Sequence, residues 1–126
     1  MEIDAQALTT CRVADDGNAI SLGFVDAAGN PAIIRLPLRQ VGALAMTLPT
    51  MLQKALQTRY GDKSLRYVYP LASWTVEQST DQTQRVVTLQ TTDGFSVCFA
   101  VPRERQSELG EALMAQCRSA AVVRMN

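Results

Sequence analysis

The chain aligns with itself at an offset of 65 residues, and this constrains its fold more than any other feature. Without gaps, nine of 61 pairs are identical: Ala7/Ala72, Thr10/Thr75, Asp16/Asp81, Gly29/Gly94, Pro37/Pro102, Leu44/Leu109, Leu48/Leu113, Ala55/Ala120 and Arg59/Arg124. Their placement matters more than their number. The glycine pair falls in a turn, the proline pair where a strand hands over to a helix, and the leucines on one helix face. Apolar residues also align without identity, as in Cys11/Val76, Leu22/Val87, Phe24/Leu89 and Ile34/Phe99. A fixed internal period signals a repeated supersecondary unit. The expectation is one domain over residues 1–126 built by duplication, with repeat 1 at about 2–60 and repeat 2 at about 65–124.

Each repeat reads as strands followed by a helix. Short opening segments come at Ile3–Gln6 and Leu65–Tyr69. Strands follow near Ala7–Ala14 and Ser73–Ser79, then at Ile20–Asp26 and Arg85–Thr91, then at Ala32–Leu36 and Phe95–Val101. The turns between them, ADDGN, STDQTQ, AAGNP and TTDG, are rich in residues that form tight turns. Alternation of Phe95, Val97, Phe99 and Val101 with Ser96, Cys98 and Ala100 predicts a sheet with one apolar face. Pro37 and Pro102 suit the first turn of a helix. Val41, Leu44, Ala45, Leu48, Leu52 and Ala55 form one helical stripe, and Leu109, Leu113, Cys117 and Ala120 the other. Pro49 is expected to kink or split the first helix, and Gly61 to cap it. The fold class expected is α+β: two tandem ββββα or βββα repeats with antiparallel sheets. One helix per repeat packs on the apolar sheet face, around a single shared core.

Composition narrows the chemistry. Histidine is absent, which removes the commonest general base and metal ligand. Lysine and arginine number 12, as do aspartate and glutamate, so no strongly basic surface is implied. Cys11, Cys98 and Cys117 are odd in number and form no CxxC pair, as in a cytoplasmic protein with reduced thiols. No run of residues reaches the length of a membrane span, and the amino terminus lacks the pattern of a secretory signal. There is no phosphate-binding loop, and Asp15-Asp16-Gly17-Asn18 reads as a turn, not a calcium loop. Glu104, Glu108 and Glu111 read as a solvated helix face. No cofactor is expected.

The second face of each sheet is small, mixed and lightly charged. Alternation places Leu8, Thr10, Arg12, Val25, Ile33 and Arg35 there in the first repeat, and Thr75, Glu77, Val86, Thr88, Gln90, Ser96, Cys98 and Ala100 in the second. A contact surface drawn from Arg12, Val25, Ile33, Arg35, Arg66, Tyr67, Tyr69 and Cys98 is the candidate site. Tyr60, Tyr67, Tyr69 and Trp74 are expected to form a hydrophobic seam. The function expected is a non-catalytic interaction module that forms a homodimer. The order of elements resembles the topology of the Whirly and Pur families, which implies sheet faces that hold single-stranded nucleic acid. The even charge balance of both halves weighs against that alternative. A small-ligand binder or enzyme is the third expectation.

Overall fold

In a computed structural model, residues 1–115 and 124–125 are described. The chain forms two compact units, Met1–Gly61 and Asp62–Asn126. In the first unit β1 (Ala5–Val13), β2 (Ala19–Asp26) and β3 (Pro31–Pro37) form an antiparallel meander that runs into helix α1 (Leu38–Tyr60). The second unit opens with a short strand, β4 (Leu65–Arg66), which pairs in parallel with β8 (Arg124–Met125). Its meander is β5 (Leu71–Gln78), β6 (Gln84–Thr91) and β7 (Ser96–Pro102), followed by α2 (Arg103–Met114). The shared plan is therefore βββα, with β4 an addition particular to the second unit.

The offset of 65 survives in the backbone. β2 and β6 correspond residue for residue, as do β3 and β7, and α1 and α2 begin at equivalent positions. The Leu38 amide donates to the Asn18 carbonyl at 3.0 Å, and the Arg103 amide to the Thr83 carbonyl at 2.8 Å. The Asn18 amide donates to Asp16 Oδ1 at 3.0 Å, and the Thr83 amide to Asp81 Oδ1 at 3.0 Å. In the second hairpin of each unit, the Gly29 amide donates to the Asp26 carbonyl at 3.0 Å and the Gly94 amide to the Thr91 carbonyl at 3.2 Å. Gly29 and Gly94 have φ of 84° and 92°, in the left-handed region where a side chain is disfavoured. Where Asp26 Oδ1 accepts from the Asn30 amide, Thr91 Oγ1 accepts from the Phe95 amide. The same turn is thus held by different side-chain chemistry.

The first strands break the correspondence. β1 has register shifts between Ala5 and Ala7 and between Leu8 and Thr10, whereas β5 has one, between Leu71 and Ser73. A bulged residue turns every side chain beyond it to the opposite face. Leu8 therefore pairs with Phe24 and shares its face, instead of lying beside Thr10 and Arg12 as alternation predicts. Gly23 pairs with Thr10 next to this bulge. It is buried, and a Cβ there would collide with Thr10 Oγ1.

The helices differ from expectation in what they cover. Neither α1 nor α2 buries a residue. Pro37 and Pro102 are at once the last strand residue and the helix N-cap, so no residue separates strand from helix. A helix that folds back over its sheet ordinarily needs a connection of about 2–6 residues. The prolines thus lie one position before the helical turn they were expected to open. Helix α1 also runs unbroken through Pro49, which is exposed, and ends at Gly61 in the left-handed conformation (φ 61°). Among the described residues the buried set is small: Ala19 and Gly23 in the first unit, Leu65 and Thr91 in the second. Cys11, expected in the core, is exposed, as is Cys98; Cys117 and Ala120 lie outside the described residues. No helix of the described residues is long and apolar enough to cross a membrane.

Candidate functional site

Strand register assigns every sheet residue to a face. On one face of the first sheet three rows cross the three strands: Val13–Ile20–Leu36, Cys11–Leu22–Ile34 and Leu8–Phe24–Ala32. This grid of nine carries no charge. The equivalent rows of the second sheet are Gln78–Arg85–Val101, Val76–Val87–Phe99 and Trp74–Leu89–Val97. Both grids are open: Val13 is 69% exposed, Trp74 65% and Phe99 51%. Helix stripes are open too, with Leu48 45% and Leu109 49% exposed. The alternation in the sequence located these faces, but it marked them as core. The signal against a core was the absence of any loop between strand and helix.

The opposite face of the first sheet holds four of the predicted contact residues. Arg12, Ser21 and Arg35 form one row, Thr10, Gly23 and Ile33 the next, and Ala7, Val25 and Pro31 the third. Arg12 and Arg35 thus flank Ser21 from the two outer strands. The three residues, with Asp15 and Asp16 of the adjoining turn, line a cavity of about 750 Å³. Asp16 is committed to the turn: it accepts from the Asn18 amide, which holds its carboxyl below the usual carboxylate value, and Arg35 adds a weaker attraction. Among the described residues neither the Arg12 nor the Arg35 guanidinium donates a hydrogen bond or forms a close ion pair, whereas Arg105 on α2 pairs with Glu108 at 3.1 Å.

The remaining predicted residues lie elsewhere, in the second unit. Cys98 is on the sheet face equivalent to that of Arg12, where its thiol lies 3.2 Å from Thr88 Oγ1. Arg66 is turned to its own loop and donates to the carbonyls of Lys63 and Leu65, at 3.1 and 3.3 Å. Tyr67 meets Tyr69 edge-on with ring centroids 5.2 Å apart, and Tyr69 stacks on Phe95 at 4.9 Å. This cluster recruits Phe95, and neither Tyr60 nor Trp74 belongs to it. Tyr60 instead faces the Arg59 guanidinium at 5.5 Å, and Trp74 stands on the open sheet face. Comparison with protein-family models, curated proteins and solved structures finds no match.

Proposed function

We propose that the chain is a non-catalytic interaction module whose apolar sheet faces are covered by a second copy of itself. The observation that carries this reading is the open three-by-three grid of the first sheet. Large open apolar faces mark interaction sites in soluble proteins. The chain exposes 10,751 Å². Two separate compact globules of half its mass would together expose about 8,000 Å². The difference, roughly 2,700 Å² per chain, is about the share each partner gives up in the larger obligate interfaces. A second copy suits the face chemically. An isologous contact sets a surface against itself, and a grid without charge meets its own copy with no like-charge repulsion.

Light scattering coupled to size exclusion tests this. The wild-type chain is expected to elute at twice its 13.8 kDa or more at micromolar concentration. Ile34→Asp places a charge on the half-exposed middle row and is expected to shift the mass to the monomer. A wild-type monomer at tens of micromolar would overturn the reading.

A second reading, binding of single-stranded nucleic acid, is favoured by the Arg12–Ser21–Arg35 row alone. Stacking platforms and an arginine-lined groove are the usual means of such binding. Here the Tyr69 ring is already engaged by Phe95, and Arg66 by backbone carbonyls. Anisotropy of a labelled oligonucleotide at low and moderate salt separates the two readings, and no binding is expected at moderate salt.

A further inference from the structure

We infer that the Arg12–Ser21–Arg35 row is a binding site for a small oxyanion of the phosphate class, carried by the first unit only. Three observations converge. The register fixes Arg12 and Arg35 on the two outer strands, opposite the same residue, Ser21. Two strand spacings separate their Cα atoms by about 10 Å, which guanidinium side chains can span from both sides. An anion above Ser21 would therefore meet two charged forks and one hydroxyl donor, the arrangement that recognises phosphate oxygens.

The second observation is that the guanidinium groups are not neutralised by contact. Asp15 and Asp16 line the same cavity, yet neither forms a close ion pair with Arg12 or Arg35. Asp16 is occupied by the turn amide of Asn18. The hairpin that carries these aspartates is fixed from within: the Ala14 amide donates to the Ala19 carbonyl at 2.9 Å, and the Gly17 amide to the Ala14 carbonyl at 2.8 Å. The depression these groups line is open to solvent, so a small anion can reach both guanidinium groups.

The third observation comes from the duplicated plan. At the equivalent row of the second unit stand Glu77, Val86 and Ala100. The backbone requires none of Arg12, Ser21 or Arg35, since the same ladder forms with an acid and two apolar residues. The cationic row is chemistry added to one copy of a fold that stands without it. It lies on the face opposite the apolar grid, so self-association through that grid leaves it open, and the inference does not depend on that association.

The test is calorimetric titration of the full-length protein with inorganic pyrophosphate at low ionic strength, with a thymidine oligonucleotide as a second arm. Pyrophosphate is expected to bind, and more weakly as salt rises. Arg12→Gln and Arg35→Gln are each expected to weaken it about tenfold or more, the size of one lost charge-assisted contact. Both residues are exposed, and far-UV circular dichroism checks that each variant is folded. Glu77→Gln, at the equivalent place in the second unit, is expected to bind pyrophosphate as the wild type does. Absence of pyrophosphate binding, or equal binding by the arginine variants, overturns the inference. Binding of the oligonucleotide without pyrophosphate also overturns it, in favour of a nucleic-acid backbone.

Discussion

Single residues show how the two units differ under one backbone plan. Gly23 is set by the bulge in β1, which brings Thr10 over it; the second unit, whose register shift lies earlier in its strand, has Thr88 there. Gly23→Ala is expected to destabilise the chain by about 1–3 kcal/mol, the range for overpacking, because β-branched Thr10 must leave its rotamer. Chemical denaturation measures this; an unchanged midpoint would show that Thr10 yields freely. Asp26 gives a pH signature. Its carboxylate accepts from the amides of Asn30 and Ala28 and from Asn30 Nδ2, and the Asn30 amide does most to hold its pKa below the ordinary 3.8. A folded value below the unfolded one favours folding when the group is ionised. That contribution is whole above the ordinary value and fades as pH falls through the lowered one. Thermal unfolding between pH 6 and about pH 2 is expected to be less pH-dependent in Asp26→Asn than in the wild type.

Elements were legible in the sequence to different depths. The strand order, hairpin turns and helix starts followed from turn residues and period-two alternation, which are local properties of the chain. The bulge in β1 was not legible. It shifts one residue, moves Leu8 to the opposite face and leaves no mark in the residue types of Ala5–Val13. Helix cover is not legible in the sequence for a different reason. An apolar stripe states that a surface avoids water but not which surface it meets. Leu109, at 49% exposure, illustrates the consequence. As a core leucine it would lose about 2–5 kcal/mol on truncation to alanine. On an open stripe, Leu109→Ala is expected to change the stability of the dissociated chain by less than about 1 kcal/mol. Urea denaturation of dissociated chains, in the Ile34→Asp background, measures this. A loss of core size would mean that α2 packs within the chain. Of the candidate contact residues, Arg12, Val25, Ile33 and Arg35 share a face because alternation holds through β2 and β3. Arg66, Tyr67 and Tyr69 belong to the second unit, where β4 is only two residues long and alternation assigns them no face.

The whole molecule uses one βββα plan twice, with an uncharged apolar face on the first sheet, a face broken by Arg85 on the second, and a cationic row on the back of the first. Its halves conserve hydrogen-bonded turns more closely than side chains, so the plan constrains the backbone and leaves both faces free to specialise. Trp74 is the chain's one tryptophan and stands at 65% exposure on the open face of the second sheet. Its emission, followed through a dilution series, reports directly whether a second copy covers that face. A blue-shifted maximum is expected at micromolar concentration, moving to the red as the chain is diluted and dissociates. A maximum at the solvent-exposed position, unchanged at every concentration, would contradict that coverage.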